Sequence, residues 1–439
     1  MPFIEIGSSD GKLITIPTKY LNRHGIIAGT TGSGKSRAMQ LIAEQLSNLG
    51  TAVFISDFKG DVCGFSKPGN LSSRNTQASF SPSSISANYW GIGSQFIQLR
   101  FSILKIGPIL LSKFLNLNTT QQSHLELVFS IAKKNSLPLD SISDLLFILS
   151  KISKENLPGF SKSSISVIQR SLLSLEGKIT SNLFGSPSFD LADFKSLNVL
   201  NLSNCKTEPS STLALVFLLN HLFSELDEVG DLGIPRYAIF IDEAHYLFND
   251  SNNELRNYLS TILKQIRSKG VSVFFVTQQV SDIPEDILSL LSTKIIFSQK
   301  ILSEKGVSHL RSISKSFPSS SLDIFEILKS LAPATAIFSS LDEFGSQTPP
   351  VIVNLFTPST SMEILDQKDL LKTTSQILLK KYSQKSQKLM DHFVLSKPLP
   401  ASKMENVRND SNQSSSKKIS SQPVNLVSLY YLLSSFKKC

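Results

Sequence analysis

A lysine and a serine close a run of glycines near the start of the chain. Residues 29–36 read GTTGSGKS and fit the P-loop pattern G-x-x-x-x-G-K-[ST] in full. In such a loop the glycines let backbone N–H groups surround phosphate oxygens, the lysine reaches the β- and γ-phosphates, and the serine hydroxyl binds Mg²⁺. The pattern predicts a site for a nucleoside triphosphate and Mg²⁺, formed by Gly29, Thr30, Thr31, Gly32, Ser33, Gly34, Lys35 and Ser36.

An acidic pair farther along the chain supplies the groups that a P-loop needs. Residues 237–241 form a continuous apolar run, typical of a strand buried on both faces, and Asp242 and Glu243 follow it. We expect Asp242 to hold Mg²⁺ through its water shell and Glu243 to polarise the attacking water. The alternative is an acidic helix N-cap after a strand. A third apolar run, 271–276, leads to Gln278, which either senses the γ-phosphate and orients water or is an ordinary polar turn residue.

Strands and helices must position these groups. The apolar run 26–28 predicts a buried strand before the loop, and helical spacing of apolar residues predicts a helix after it, ending at Gly50. The phosphates would then lie at a helix N-terminus, where the helix dipole favours anions. Strands alternate with helices along the chain, which predicts an α/β fold with a mainly parallel, doubly wound sheet.

The string Asp242-Glu243-Ala244-His245 spells the motif of DEAH-box helicases, but those enzymes have two RecA-like lobes and a later arginine motif, and this chain contains no Gly-Arg pair. To about residue 360 the chain resembles the HerA/FtsK superfamily of ring-forming motors, and within it the bacterial HerA-like helicases. The matching stretches are NRHGIIAGTTGSGKS, FISDFKGDVCGF, GPILLSKFLNLNTTQ, VIQRSLLSLE, FGSPSFDLADF, ELDEVGDLGIP, FIDEAHYLF, QIRSKGVSVFFVTQ and SDIPEDIL. The resemblance implies a RecA-like P-loop NTPase core, ATP and Mg²⁺ as ligands, a homo-oligomeric ring that is most often hexameric, and double-stranded DNA as the substrate.

The same resemblance assigns roles to three further residues. Asp57, after the predicted strand 52–56, matches the family's second acidic residue near the water and the metal. Arg23 and Arg267 resemble arginines that reach the γ-phosphate in such rings, with Arg23 the better candidate for donation across a subunit boundary. A fixed cation stabilises the charge that develops on the transferred phosphoryl group. The alternatives are a surface turn for Arg23 and a residue that complements a helix C-terminus for Arg267.

One segment departs from the family pattern. Relatives carry arginines after the sensor strand, where residues 293–300 of this chain contain Lys294 and Lys300. Lysine keeps the charge but loses the bidentate geometry, so we expect looser coupling of ATP hydrolysis to movement if either arginine couples neighbouring subunits in the relatives. His24 and His245 have no cluster of metal ligands around them and are predicted to pack or donate hydrogen bonds.

Length and composition indicate an enzyme of several units in a reducing compartment. The chain has 439 residues, 41% of them hydrophobic, and three cysteines without paired spacing. No secretory signal is evident at the start, and the longest apolar run, 213–222, is too short to span a bilayer and reads as a buried helix. We therefore expect a cytoplasmic protein with no membrane span.

Four segments are predicted. They are a β element with the P-loop half of the core (1–102), an inserted helical subdomain (103–192), the half with the acidic pair (193–360), and a basic, partly disordered tail with a terminal amphipathic helix (361–439). Residues 66–95 are rich in Ser, Asn and Gly and predict a surface excursion around Tyr89 and Trp90. Residues 334–340 and 351–356 predict a closing β-hairpin.

The basic charge is concentrated in the predicted tail. Residues 361–439 hold 13 Lys/Arg and 6 Asp/Glu, a balance of +7, which leaves +2 for residues 1–360. A terminal amphipathic helix over 424–438 would dock on the core or a neighbour, or the tail is simply solvated. The leading function is a DNA-translocating ring motor with a nuclease or secretion partner. The alternatives are an ATPase of the same fold that acts on a protein in a secretion or conjugation system, and a nucleotide-dependent scaffold.

Overall fold

One mixed β-sheet organises the chain. The computed structural model describes residues 2–70, 81–155, 157–177, 183–205, 209–249, 253–299 and 304–384. Within these ranges the strands are β1 Phe3–Ser9, β2 Lys12–Pro17, β3 Gly25–Ala28, β4 Ala52–Asp57, β5 Ala87–Gly91, β6 Ile97–Gln98, β7 Leu197–Asn201, β8 Tyr237–Ile241, β9 Val271–Thr277, β10 Thr293–Ile296, β11 Thr335–Ser339 and β12 Val351–Leu355. Their order across the sheet is β2-β1-β12-β11-β10-β3-β9-β8-β4-β7-β5-β6.

The sheet is parallel from β10 to β6 and antiparallel from β10 to β2. Strands β3 and β9 are buried throughout, as expected for parallel strands that have helices on both faces. The predicted mainly parallel α/β fold is therefore confirmed. The antiparallel part contains β1 and β2 at the N-terminus and the predicted hairpin, formed by β11 and β12.

Helices cover both faces of the sheet. They are α1 Lys35–Asn48, α2 Ile103–Ile106, α3 Pro108–Phe114, α4 Thr119–Lys134, α5 Ile142–Glu155, α6 Lys162–Glu176, α7 Pro209–Glu225, α8 His245–Asn249, α9 Asn253–Ile266, α10 Glu285–Leu288, α11 Glu304–Lys315, α12 Ile324–Ser330, α13 Gln367–Thr373 and α14 Gln376–Ser383. Helix α1 packs on one face through Met39, Ile42 and Leu46. Helices α7 and α9 pack on the other face, and residues 210–222 of α7 are all buried.

Helices α2 to α6 occupy the chain between β6 and β7, where the sequence predicts a helical insertion. Their apolar side chains, among them Leu125, Leu149 and Leu172, belong to the same hydrophobic cluster as the residues under the sheet. The insertion is thus an extension of the main core. Its predicted limits, 103 and 192, stay a prediction.

The predicted surface excursion around Tyr89 and Trp90 is wrong. Both residues lie in β5, and the Trp90 side chain is completely buried, with its indole N–H donating to Asn198 Oδ1 at 3.0 Å. Polar composition on both sides conceals a strand of only five residues, whose hydrogen-bonding partner, β7, lies more than 100 residues later in the chain. Residues 71–80 of the predicted excursion lie outside the described residues.

The predicted flexible tail begins with a packed segment. Residues 361–384 include α13 and α14, and the Tyr382 side chain is completely buried against Trp90, with ring centroids 5.2 Å apart. The Tyr382 hydroxyl donates to Asp193 Oδ2 at 2.6 Å. One buried aromatic side chain thus anchors α14 on the core, and the predicted start of the tail at 361 stays a prediction. The rest of the tail, with the predicted helix over 424–438, lies outside the described residues. Among the residues described, no helix combines the length and apolar character needed to cross a lipid bilayer.

The anchor can be tested through stability. Tyr382→Ala removes a completely buried ring, so we expect it to lower the free energy of unfolding by about 3–5 kcal/mol. The matched control Tyr382→Phe keeps the ring and loses the hydroxyl, for a cost of about 1–2 kcal/mol. Urea denaturation followed by circular dichroism measures both values. Equal stability of Tyr382→Ala and the wild type would show that α14 is not anchored on the core.

Candidate functional site

The sheet order brings four of the predicted groups to one edge. Strands β3, β9, β8 and β4 are adjacent and parallel, with Ala28 opposite Thr277, Phe275 opposite Ile241, and Ile241 opposite Ser56. Their carboxyl ends therefore lie side by side. The P-loop, Gln278, the acidic pair and Asp57 follow or end these strands, in that order. Ligands of open α/β sheets bind at this edge.

The P-loop conformation requires its glycines. Gly32 and Gly34 have φ angles of 79° and 121°, which L-residues with a side chain rarely adopt. At Gly29 a Cβ atom would lie 2.5 Å from the Cβ of Phe297. Helix α1 begins at Lys35, so the loop leads directly into a helix N-terminus, as the sequence predicts.

Lys35 lies inside the curve of the loop. Its ammonium group donates to the carbonyl oxygens of Gly29 at 2.6 Å and Thr30 at 3.1 Å. Burial lowers the pKa of Lys35, and the negative charge of Glu243 opposes that effect. The Ser33 hydroxyl is buried and has no hydrogen-bond partner. A buried cation, a buried hydroxyl without a partner and a loop whose backbone turns through two glycines with positive φ fit a phosphate group.

Asp242 provides the environment for a cation. Its side chain is buried after β8, and its backbone N–H donates to Ser56 Oγ at 3.1 Å. Burial, followed by the charge of Glu243, raises the pKa of Asp242 to about 7. A bound cation would offset this unfavourable negative charge. No cluster of three or more His, Cys, Asp or Glu side chains that could hold a metal ion occurs in the part of the chain that the structure describes.

Glu243 is held in a strained turn with three neighbours. Its φ angle is 45°, and residues in such conformations concentrate at functional sites. Its carboxylate lies 2.6 Å from Lys59 Nζ, 3.4 Å from His245 Nδ1 and 3.4 Å from Gln278 Nε2. Burial raises the pKa of Glu243, but the hydrogen bond and charge of Lys59 outweigh it, so the net shift is downward. Glu243 thus stays ionised and oriented, as a residue that polarises water must be.

Lys59 is the site residue that the sequence reasoning missed. It lies in the loop after β4, two residues beyond Asp57, within the stretch FISDFKGDVCGF. A lone lysine in a loop has no spacing pattern to single it out. The available signal was its place directly after a strand that ends at the P-loop edge.

Asp57 lies at the site edge, but its carboxylate is already occupied. Oδ1 accepts the N–H groups of Lys59 at 3.1 Å and Gly60 at 2.7 Å, and Oδ2 accepts that of Val62 at 3.0 Å. These contacts hold the loop that carries Lys59. They favour a structural role for Asp57 over the predicted place near the water and metal.

Arg23 and Arg267 lie at the opposite edge of the sheet. Arg23 ends a 3₁₀ turn, Thr18–Arg23, before β3, and Arg267 begins another, Arg267–Lys269, before β9. The P-loop and Gln278 follow the other ends of these two strands, at a distance of about 20 Å for a rise of about 3.3 Å per residue. Neither arginine can therefore reach the P-loop of its own chain. The Arg23 guanidinium lies 5.3 Å from the Tyr20 ring centroid, and its Nε is buried without a hydrogen-bond partner.

Two other predicted residues have contacts within the chain. His24 Nδ1 accepts the Val273 N–H at 3.1 Å, which leaves Nε2 to donate to the Leu263 carbonyl at 2.8 Å, and burial lowers its pKa to about 4. His24 is thus a neutral core residue. Lys294 donates to the Ser316 carbonyl, while Lys300 lies outside the described residues.

The fold and the site define a P-loop protein with a RecA-like α/β core. The chain matches the family "Helicase HerA-like C-terminal" over residues 4–429 and belongs to it, which confirms the resemblance seen in the sequence.

Known relatives agree with this assignment. The DNA double-strand break repair helicase HerA of Saccharolobus solfataricus is 26% identical over 346 residues, which are 76% of this chain and 65% of that protein. The DNA double-strand break repair helicase HerA of Sulfurisphaera tokodaii is 24% identical over 303 residues, which are 66% of this chain and 58% of that protein. The chain therefore spans less than two thirds of the length of these relatives.

Solved structures show the same fold. The bacterial conjugative coupling protein TrwBdeltaN70 has a TM-score of 0.54 at 16% identity and covers 82% of this chain and 89% of its own. VirB4 of Thermoanaerobacter pseudethanolicus has a TM-score of 0.52 at 16% identity, with 80% and 96% covered.

The role of Asp57 can be separated from metal binding. Asp57→Asn replaces one accepting oxygen by an NH₂ group that faces a backbone N–H, so we expect the free energy of unfolding to fall by about 1–3 kcal/mol. Affinity for Mg²⁺ with a fluorescent ATP analogue should match that of the control Asp61→Asn. Urea denaturation and fluorescence titration measure these values. A loss of Mg²⁺ affinity of about tenfold or more at unchanged stability would instead indicate a metal-bound role.

Proposed function

We propose that this protein is an ATP-hydrolysing ring motor of the HerA/FtsK type, located in the cytoplasm, that translocates on double-stranded DNA. One observation carries the proposal. The P-loop and Glu243 lie at one edge of the sheet, and Arg23 and Arg267 lie at the other. A site with both sets of groups forms only where the carboxyl edge of one copy meets the amino edge of the next. Head-to-tail contacts of this kind close into rings, and the family resemblance favours six copies.

Each residue has a defined task in this account. Lys35 and the P-loop N–H groups hold the β- and γ-phosphates, and Ser36 and Asp242 hold Mg²⁺, which neutralises phosphate charge when bound. Glu243 polarises the attacking water, and the Gln278 amide, 3.4 Å from Glu243, orients the same water. The neighbouring copy's Arg23 stabilises the charge on the transferred phosphoryl group, and the neighbour's Arg267 is the second candidate for this task.

The DNA substrate is proposed from the relatives. Both HerA proteins reported above are named as DNA repair helicases. Electrostatics gives little independent support, because residues 1–360 carry a balance of only +2. A nuclease or secretion partner is a further expectation from the same resemblance.

The experiment is the ATPase rate with and without duplex DNA, on protein whose mass is measured by mass photometry. We expect a ring of about six copies and a rate that duplex DNA raises several-fold. A ring whose ATPase rate is the same with and without duplex DNA would contradict the DNA substrate and favour a protein substrate. Full activity in a monomer would contradict the shared site.

Substitutions of Lys35 and Glu243 should impair different steps, nucleotide binding and hydrolysis respectively. Lys35→Ala removes the cation of the P-loop, so nucleotide affinity should fall. Glu243→Gln should keep ATP bound and lose turnover by about 10²–10⁴-fold, because the carboxylate acts only on the attacking water. Nucleotide titration and phosphate release measure the two effects, with the exposed Glu285→Gln as control. Normal hydrolysis by Glu243→Gln would remove Glu243 from the catalytic role.

Mixed rings test whether Arg23 acts between copies. Arg23→Ala and Lys35→Ala should each be inactive alone, and an equimolar mixture should recover activity, because some boundaries then join an intact arginine to an intact P-loop. Lys19→Ala, which alters another cation beside Tyr20, should stay active alone. Failure to recover activity in mixed rings of confirmed composition would show that Arg23 is structural or acts within its own chain.

A further inference from the structure

The ion pair between Lys59 and Glu243 joins two residues in unequal surroundings. The atoms Lys59 Nζ and Glu243 Oε1 are 2.6 Å apart, and the side chains are 42% and 4% exposed. The Lys59 backbone is held by Asp57, as described above, whereas its side chain reaches in from solvent. A long, partly exposed lysine can reorient into solvent, so the cost of opening the pair falls mainly on the buried carboxylate.

Glu243 would keep partners if Lys59 moved away. Gln278 Nε2 lies within 3.5 Å of both carboxylate oxygens, and His245 Nδ1 lies 3.4 Å from Oε2. The buried carboxylate would thus not be left without contacts, which is the situation that makes breaking a buried pair costly. The pair is therefore suited to open and close.

A second cation shares this space with Lys59. Glu243 follows β8 at the edge of the sheet that carries the P-loop, and Lys59 Nζ lies 2.6 Å from its carboxylate, so both lysines stand at this edge. The charges of Lys59 and Glu243 both affect the pKa of Lys35. Lys35 is buried and hydrogen-bonded to the carbonyl groups of the loop, whereas Lys59 is partly exposed, so Lys59 is the cation that can change its partner. The group that would attract Lys59 away from Glu243 is the γ-phosphate, the terminal phosphate that ATP has and ADP lacks.

We propose that Lys59 is a γ-phosphate sensor that pairs with Glu243 when no γ-phosphate is bound and with the γ-phosphate when ATP is bound. Glu243 is then released to hold the attacking water only in the ATP state. This inference rests on the proposed function, since it assigns a regulatory step to the same site. It predicts that Lys59 discriminates ATP from ADP.

The test is nucleotide binding and not turnover. Affinities for ADP and for a non-hydrolysable ATP analogue are measured by calorimetry on the full chain with Mg²⁺. Lys59→Met should weaken binding of the ATP analogue about tenfold, the effect of one charge-assisted hydrogen bond, and leave ADP affinity unchanged. Lys59→Arg should restore most of the discrimination. The control Lys67→Met changes a lysine of the same segment that lies 3.9 Å from Asp369 and should alter neither affinity.

A double-mutant cycle tests the exchange of partners. Glu243→Gln leaves Lys59 without its carboxylate, so we expect tighter binding of the ATP analogue. This gain should disappear when Lys59→Met is added. An equal loss of both affinities in Lys59→Met, no loss in either, or a gain that persists in the double variant would overturn the sensor. A wild-type protein that binds no nucleotide would instead overturn the proposed function, so the two failures are distinguishable.

Discussion

The site depends on the alignment of four neighbouring parallel strands. Strands β3, β9, β8 and β4 run side by side, and their shared register brings chain segments more than 200 residues apart to one edge. A slip of one residue would turn every side chain of a strand to the other face, where its packing partners differ, so the close packing on both faces fixes this register. The same alignment places the residues before β3 and β9 at the far edge. One constraint thus assembles the phosphate site and separates it from the arginines.

At that edge of the sheet, two carboxylates and two lysine ammonium groups lie close together and shift one another's pKa. Burial and the charge of Glu243 raise the pKa of Asp242 to about 7, whereas Lys59 lowers that of Glu243. The two adjacent carboxylates therefore differ in behaviour: one gains from a bound cation, and the other stays ionised and oriented. Lys35 and Lys59 differ in the same way, since one is buried in the P-loop and the other is half exposed. We expect such a site to respond to an incoming phosphate.

Local patterns in the sequence predicted the P-loop, the strand before the acidic pair and the buried helix α7, because each depends on neighbouring residues. Contacts made across the sheet were beyond such patterns. The Lys59–Glu243 pair exists because β4 lies beside β8, and Trp90 is buried because β5 lies beside β7. Neither pairing leaves a periodic signal in the sequence. The position of Arg23 at the far edge, by contrast, follows from the sequence, because Arg23 precedes the strand that the P-loop follows.

The most direct measurement of the shared site is a cryo-electron microscopy structure of Glu243→Gln with ATP and Mg²⁺. We expect a closed ring in which the neighbouring copy's Arg23 lies within about 3.5 Å of a γ-phosphate oxygen, a hydrogen-bonding distance, while the Arg23 of the same chain lies across the sheet. A nucleotide enclosed by one copy alone, with no neighbouring arginine at the γ-phosphate, would contradict it.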